Sequence, residues 1–262
     1  PATLAVISGE QPLAASARGA VELILDASGS MLKRMGDRRR IEIAKAALGQ
    51  VVDEVLPDGM PLALRVYGHR EAGSCRTDLE VPLAPLDKAA LHRTLEGINA
   101  VNLAKTPIAE SLARVADDLA DAQGRRWVIL LTDGEETCEG DIEAVLAELA
   151  GKGIDVRLNI VGFAIGDEAL KAEFGRLAEL GGGRYFDAGE ADALARAMEQ
   201  SLSIPFRVLN ADGEEVAVGT LDEEPIELAP GRYQVELQTS PLQIFRDVQL
   251  APGEDRKLAA GD

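Results

Sequence analysis

The sequence contains little of what several common functions require. Its 262 residues include only two cysteines and two histidines, too few for a disulfide-rich scaffold and poorly suited to a zinc site. There are 27 lysines and arginines against 45 aspartates and glutamates, so the formal net charge is −18. Nucleic acids and anionic membrane surfaces attract basic proteins, and neither is an expected partner. No apolar run approaches the roughly 18 to 20 residues that span a bilayer, so we expect no direct membrane insertion.

The middle of the chain has the pattern of an α/β domain. Between residues 21 and 202, six short β-rich runs alternate with segments of helical periodicity. Continuous apolar strands separated by helices are typical of a doubly wound, mostly parallel sheet that is covered on both faces. The run at 79–86 contains prolines, which predicts an edge strand. Ligands of such sheets bind at the carboxyl ends of the strands.

The two ends of the chain have a different texture. From residue 203 to residue 262, short β-rich runs are separated by Asp-Gly and Pro-Gly turns, without a helical period. This predicts a small all-β domain, a sandwich by preference, and "APGRYQVEL" resembles accessory domains of the carboxypeptidase-regulatory or immunoglobulin type. Residues 1–20 form an N-terminal extension that could add a strand to either domain or act as a linker.

Five side chains in the α/β region offer oxygen at strand ends or in loops. They are Asp26, Ser28, Ser30, Thr106 and Asp133. The first three alternate along one turn, which lets that turn aim three oxygens at one point. None of the five offers nitrogen or sulfur, and Mg²⁺, Mn²⁺ and Ca²⁺ prefer oxygen ligands. The pattern indicates a site for one divalent cation, with Mg²⁺ as the first expectation and Ca²⁺ or Mn²⁺ as alternatives.

Other interpretations of the same residues stay open. The serines could cap a helix, and Thr106 could be an N-cap with Pro107 at the first helical position, although capping does not explain Asp133. A phosphatase of the haloacid-dehalogenase type uses a strand-end aspartate as nucleophile, but it usually has a second aspartate where Ser28 stands. A serine hydrolase needs a histidine, and neither histidine has an obvious partner.

Three motifs carry a resemblance to a known family. "DASGSM", the downstream "KTPI" and "TDGEE" occur in family order, each at its expected strand end or loop. Together they resemble a von Willebrand factor type A (vWA) domain with an intact metal-ion-dependent adhesion site (MIDAS), over roughly residues 20 to 202. The resemblance implies a central sheet with one antiparallel edge strand, for which 79–86 is the candidate.

The resemblance also implies a role for each of the five oxygen-bearing residues. Ser28 and Ser30 would ligate the metal directly, and Thr106 directly or through water. Asp26 and Asp133 would act largely through water or supporting hydrogen bonds. In this family a ligand carboxylate commonly completes the coordination of the metal.

Four residues with ionisable side chains are candidates for the partner-binding rim of the site. His69 and Arg70 leave the second strand on the same edge, where they could bind an acidic ligand or pair with acidic residues after Asp133. Glu135 and Glu136 follow Asp133 directly, and could tune the metal, contact a basic partner or simply be solvated.

The two cysteines lie in loops after strands that flank the first one in a doubly wound sheet. A Cys75–Cys138 bridge is therefore geometrically plausible, whereas two free thiols in a reducing compartment are the alternative. The bridge would favour a periplasmic or other extracytoplasmic location. The absence of an N-terminal methionine would fit a removed signal peptide or an excised fragment.

These observations favour a metal-dependent adhesion or scaffolding module, not an enzyme. It would bind an acidic group of a protein partner through the cation, and we expect a monomer. A metal-dependent hydrolase that uses the same strand-end site is the alternative. By analogy with related domains, the helix predicted at 190–202 could shift when the site binds ligand.

Overall fold

A computed structural model describes residues 1–9, 19–154, 156–239 and 241–261. The chain divides into two compact units. One contains Gly19–Leu202, and the other combines the N-terminal segment Pro1–Arg18 with Ser203–Asp262. The chain begins in the second unit with strand β1 (Ala2–Ser8) and then enters the first. Residues 10–18 of the predicted N-terminal extension lie outside the described residues.

The unit Gly19–Leu202 is built around a six-stranded sheet and a small hairpin. Its strands are β2 (Ala20–Asp26), β3 (Arg34–Met35), β4 (Arg38–Arg39), β5 (Pro61–Tyr67), β6 (Thr77–Pro85), β7 (Arg126–Thr132), β8 (Val156–Phe163) and β9 (Tyr185–Ala188). The sheet has the order β6-β5-β2-β7-β8-β9, and β3 pairs with β4. Every pairing in the six-stranded sheet is parallel except β5 with β6. The predicted fold class is confirmed, including its antiparallel edge strand.

Six α-helices lie in the described part of this unit, five between its strands and the last after β9. They are α1 (Arg40–Glu54), α2 (Lys88–Gly97), α3 (Ile108–Asp118), α4 (Ile142–Gly151), α5 (Glu168–Leu180) and α6 (Ala191–Leu202). Aspartate caps three of them: the carboxylates of Asp87, Asp141 and Asp167 accept backbone N–H groups in the first turn of α2, α4 and α5. In the described residues, no helix is long and apolar enough to cross a membrane.

Strand β2 is buried along its whole length, and β5 and β7 are buried after their first residue, as their mostly apolar sequences predict. Glu22 is a charged residue within these apolar strands. It is fully buried in β2, and its Oε1 lies 3.6 Å from Nε of Arg65 on β5. Arg65 in turn donates to both carboxylate oxygens of Asp118, at 2.7 and 2.8 Å. Burial, with the nearby Asp118, raises the pKa of Glu22 well above its ordinary value despite the opposing effect of Arg65.

The other described unit is all-β. It comprises β1, β10 (Pro205–Leu209), β11 (Glu215–Thr220), β12 (Ile226–Leu228), β13 (Gly231–Leu237), β14 (Gln243–Leu250) and β15 (Asp255–Ala260). These strands form two sheets, β12-β1-β15 and β11-β10-β13-β14. β1 supplies Ala2, Leu4 and Val6 to the same hydrophobic cluster as Phe206 and Val208 of β10. The N-terminal segment therefore contributes a strand to this unit, which settles the ambiguity left by the sequence.

Candidate metal centre

The turn after β2 is shaped by the carboxylate of Asp26. One oxygen, Oδ1, accepts the backbone N–H of Ser28 at 2.7 Å, and a short 3-10 helix begins immediately afterwards at Gly29. The other oxygen, Oδ2, accepts the hydroxyl of Thr132 at the end of β7, also at 2.7 Å. Asp26 thus joins the ends of two adjacent parallel strands, and both of its oxygens are engaged. The role of Thr132 is not evident from the sequence, although the residue belongs to the motif "TDGEE".

The turn brings a chain of oxygens together. The Oγ atoms of Ser28 and Ser30 lie 3.0 Å apart, and the hydroxyl of Ser30 donates to Asp133 Oδ1 at 2.5 Å. Asp26, Ser28 and Asp133 are buried, whereas Ser30 is half-buried. Four of the five predicted ligands are therefore linked through direct hydrogen bonds or oxygen contacts at the carboxyl edge of the sheet.

Charge is concentrated in this small volume. Burial first, and then repulsion from Asp133, raise the pKa of Asp26 to about 6, although hydrogen bonds from Ser28 and Thr132 act in the opposite direction. Two buried carboxylates that destabilise each other's charge form a site at which a cation relieves repulsion.

Arg40, a residue that sequence analysis missed, partly relieves that repulsion. It is the first residue of α1, and its Nη1 donates to Asp133 Oδ2 at 2.7 Å. Its Nη2 donates to the backbone carbonyl of Ala164, in the loop after β8, at 3.3 Å. In the sequence Arg40 ends a run of three arginines that resembles a solvated charged segment, and no spacing rule links it to Asp133.

Thr106 lies beside the turn but makes no direct bond to the other four predicted ligands within the described residues. Its segment is held against the turn because Gly29 donates its N–H to the carbonyl of Ala104 at 3.1 Å. The prediction that Thr106 caps α3 is wrong, because the helix begins at Ile108 and Pro107 precedes it. The Thr106 backbone is paired with Thr137 instead: its N–H donates to Thr137 Oγ1 at 2.7 Å.

Two glycines allow the loops to approach this closely. Gly68, directly after β5, has a φ of +77°, and a Cβ there would lie 2.5 Å from the Cα of Ser28. A Cβ at Gly29 would lie 3.0 Å from the backbone nitrogen of Leu103. Any side chain at Gly68 would therefore displace the turn that carries the serines.

Several loops at this edge also hold strained backbone. Leu103, Glu139 and Ala164 have positive φ values of 63°, 61° and 54°, and they belong to the loops that precede α3, α4 and α5. Left-handed backbone at non-glycine residues costs free energy and tends to cluster at functional sites. Leu103 is, in addition, among the most exposed large apolar side chains, at 72%.

His69 and Arg70 do not face the acidic residues after Asp133. Both contact Oε1 of Glu80 on β6, and the Nε2 of His69 lies 2.8 Å from it. Asp78 is also part of this group, because Arg70 Nε lies 3.7 Å from its Oδ2 and Arg76 Nη2 2.7 Å from its Oδ1. We call these five residues the histidine cluster. Of the two alternatives left open by the sequence, pairing with Glu135, Glu136 or Glu139 does not occur, because the antiparallel edge strand supplies Glu80 to both side chains.

The histidines both have partners that the sequence did not reveal. Besides His69 with Glu80, His92 on α2 places Nε2 2.9 Å from Asp53 Oδ1. Ligand atoms of His69, Asp78 and Glu80 also lie within 4.8 Å of one another, close enough to hold a cation. Between them, Arg70 and Arg76 already contact both carboxylates of that group. In this respect it differs from the linked oxygens of Asp26, Ser28, Ser30 and Asp133.

Glu135 and Glu136 have different surroundings. Glu135 is exposed. Glu136 turns inward: its Oε2 accepts the N–H of Ala109 in the first turn of α3 at 2.8 Å, and its Oε1 accepts the N–H of Cys138 at 2.5 Å. Glu136 therefore performs the helix-capping task that the sequence suggested for Thr106.

Cys75 and Cys138 form a disulfide bond, with Cα atoms 5.9 Å apart and a separation of 63 in sequence. The bond joins the loop between β5 and β6 to the loop after β7. The first loop carries His69, Arg70 and Arg76 of the histidine cluster, and the second carries the residues next to Asp133.

The donor set fits a hard divalent cation. All the grouped side chains offer oxygen, and the two serine hydroxyls are 3.0 Å apart. An octahedral ion with ligands at about 2.1 Å has adjacent ligands roughly 3 Å apart, which is the spacing that the serines already have. The hydroxyls of Ser28 and Ser30 and the carboxylate of Asp133 are therefore close enough to share one cation, and hydrogen bonds with Ser28 and Thr132 hold Asp26 beside them.

Comparison with known proteins identifies the family. Residues 21–200 match the von Willebrand factor type A domain. The chain is 36% identical over 193 residues to YwmD of Bacillus subtilis, an alignment that covers 69% of this chain and 83% of YwmD. The chain therefore belongs to the von Willebrand factor type A domain family.

Solved structures show the same fold. A von Willebrand factor type A protein from Catenulispora acidiphila aligns with a TM-score of 0.56 and 14% identity, covering 96% of this chain and 72% of that one. Proximal thread matrix protein 1 from the mussel byssus, solved with a zinc-occupied MIDAS motif, aligns with a TM-score of 0.55 and 18% identity, covering 71% of this chain and 46% of that one. At these identities the likeness concerns the fold.

Proposed function

We propose that this protein is a cation-dependent protein-binding module of the adhesion or scaffolding kind. The observation that carries the proposal is the oxygen chain from Ser28 through Ser30 to Asp133, with O···O separations of 3.0 and 2.5 Å. Ser28, Ser30, Asp133 and, across the turn, Thr106 would hold the cation, and Asp26 would support it. The cation, when bound, attracts an anionic group from outside.

The partner we propose is a protein that offers an aspartate or glutamate side chain. A hard cation held largely by neutral hydroxyls keeps a strong preference for a further charged oxygen ligand. The zinc-occupied MIDAS motif of the mussel protein supports cation binding on this fold. For this chain we propose Mg²⁺ as the resident ion, because hydroxyl and carboxylate oxygens suit it better than they suit zinc.

The proposed site binds without catalysing. Both histidines, the usual general bases beside a serine nucleophile, are paired with carboxylates: His69 with Glu80 and His92 with Asp53. We further propose a monomer in an extracytoplasmic compartment such as the periplasm, because the Cys75–Cys138 bond persists most readily under oxidising conditions.

Calorimetric titration with Mg²⁺ and Mn²⁺, together with pull-down from the native cell envelope, tests the proposal. Asp26→Ala should abolish cation binding and partner capture, and a chelator should release captured partner from the unaltered protein. Asp58→Ala is a matched control, because that carboxylate is 91% exposed and its ion pair is with Lys88. Cation binding that survives Asp26→Ala, or metal-dependent hydrolysis of a phosphoester or peptide, would contradict the proposed function.

A further inference from the structure

The clearest feature that the proposed function does not use is the ion pair between Arg40 and Asp133. The side chain of Asp133 is fully buried and that of Arg40 is 16% exposed, so solvent screens the pair weakly. The two oxygens of Asp133 have different partners: Ser30 donates to Oδ1 and Arg40 to Oδ2. Arg40 is therefore a permanent positive charge in direct contact with a residue of the candidate metal centre.

The position of Arg40 is fixed from two sides. Its backbone begins α1, and its second Nη group donates to the carbonyl of Ala164 at 3.3 Å. Ala164 has a left-handed φ of 54°, which turns the loop after β8. The Arg40 side chain is therefore restrained by its backbone in α1 and by the hydrogen bonds of both Nη groups, which oppose its displacement by a cation.

The charges of the site then have a simple consequence. Asp26 and Asp133 provide two negative charges, and Arg40 provides one positive charge. A divalent cation alone would neutralise the two carboxylates, but with Arg40 the loaded site carries an excess positive charge. That excess opposes entry of the cation, and it favours an anion that binds afterwards.

We propose that the positive charge of Arg40 lowers the affinity of the metal centre for the cation and raises its affinity for the partner's carboxylate. The proposal rests on the proposed function, because it concerns the same site. It assigns Arg40 a positioning and charge-setting role, without contact with the partner. The site would then bind cation and carboxylate cooperatively, since each removes the charge that opposes the other.

A purely structural role for Arg40 makes a different prediction. If Arg40 only tied α1 to β7 and to the loop after β8, its removal would loosen Asp133, and the affinities for cation and anion would fall together. The two affinities must move in opposite directions if Arg40 acts through its charge.

The experiment compares Arg40→Gln, Arg40→Lys and the unaltered protein, using Mn²⁺ as cation and acetate as a carboxylate probe. Mn²⁺ affinity is measured by electron paramagnetic resonance, and acetate binding to the Mn²⁺-loaded protein by the loss of water-proton relaxation enhancement. For Arg40→Gln we expect Mn²⁺ to bind on the order of tenfold more tightly and acetate several-fold more weakly. Arg40→Lys keeps the charge and should stay close to the unaltered protein. Arg114→Gln, which removes an exposed arginine bonded to Glu110 on α3, should change neither affinity.

The outcomes separate the two proposals. If the unaltered protein binds no Mn²⁺, the proposed function fails and this inference fails with it. If the unaltered protein binds Mn²⁺ but Arg40→Gln binds cation and acetate both more weakly, or with unchanged affinities, the inference alone is overturned. Circular dichroism and thermal unfolding of each variant establish that folded proteins are compared.

Discussion

The candidate metal centre and the histidine cluster lie in the same domain, and they differ in how the charges of their carboxylates are compensated. Each contains two carboxylates, Asp26 and Asp133 in one and Asp78 and Glu80 in the other. In the metal centre a single guanidinium, that of Arg40, contacts one carboxylate. In the histidine cluster the guanidinium of Arg70 contacts both carboxylates, and that of Arg76 also contacts Asp78.

Burial makes this difference larger. The arginines of the histidine cluster are about half exposed, at 48% and 50%, so water shares in solvating that group. Arg40 is only 16% exposed and Asp26 is fully buried. Residual negative charge is therefore costly in the metal centre, whereas Arg70 and Arg76 offset the charges of Asp78 and Glu80 in the histidine cluster. The comparison teaches that a cation site is defined by uncompensated buried charge as well as by ligand type.

The largest effect should come from the disulfide that connects the loops of both regions. In the chain-entropy model, a bond that closes a loop of this length contributes about 4 kcal/mol to the free energy of unfolding. We expect the double variant Cys75→Ser/Cys138→Ser to lose about that much in guanidinium denaturation. The unaltered protein with reductant serves as the control and should behave like the variant. A loss below about 1 kcal/mol would show that the loops are held by their other contacts.

Gly68 stands between the two regions, immediately before His69 and against the backbone of Ser28. Gly68→Ala combines left-handed strain with a 2.5 Å approach to Ser28 Cα, and we expect it to cost about 3 kcal/mol of stability and most cation affinity. Gly73→Ala is the matched control, because its φ is +70° but a Cβ would meet nothing within 4 Å. That control should cost about 1 kcal/mol and leave cation binding intact. Equal effects of the two variants would mean that the close approach is unimportant.

A pair of charge-neutralising substitutions tests the comparison directly. Asp133→Asn should weaken Mn²⁺ binding by at least about tenfold, because it removes buried negative charge from the oxygen chain. Asp78→Asn removes a carboxylate of the histidine cluster and should leave the affinity at the metal centre unchanged. Calorimetric titration of both variants gives the result. Similar losses in both would show that the two regions do not act independently.

The smallest effect should come from Arg70→Gln, which leaves the histidine cluster with less compensating charge. We expect a weak second Zn²⁺-binding event in calorimetry, held by His69, Asp78 and Glu80. Adding His69→Asn to that variant should remove the event, whereas adding His92→Asn should not. A stoichiometry that stays unchanged in Arg70→Gln would show that charge compensation does not distinguish the two regions.

Much of the fold could be predicted because its signals are local. Apolar runs such as that of β7 and turn signals such as the Asp-Gly of 212–213 depend on neighbouring residues. The parallel order of the sheet then places Asp26 and Asp133 at one edge, because both directly follow or end adjacent strands. Their proximity to Ser28 and Ser30 could therefore be inferred without coordinates.

The remaining features depend on contacts between residues that are distant in sequence. Arg40 and Asp133 are 93 residues apart, and no pattern in the run of arginines marks the last one as inward-facing. Glu136 looks like a solvated neighbour of Asp133, yet its carboxylate caps α3. His69 seemed to lack a partner because Glu80 becomes its neighbour only when β6 turns back antiparallel to β5.

The sequence by itself determined the α/β pattern, the all-β texture of the C-terminal region and the oxygen-only chemistry of the candidate ligands, because residue type and spacing encode these directly. Tertiary structure alone decided which charged side chains form ion pairs, such as Arg40 with Asp133 and Arg70 with Glu80. It also decided that β1 pairs with a strand of the C-terminal region. The physical reason is that the energy of a buried charge depends on its partner and its solvation, and both are set by segments brought together only on folding.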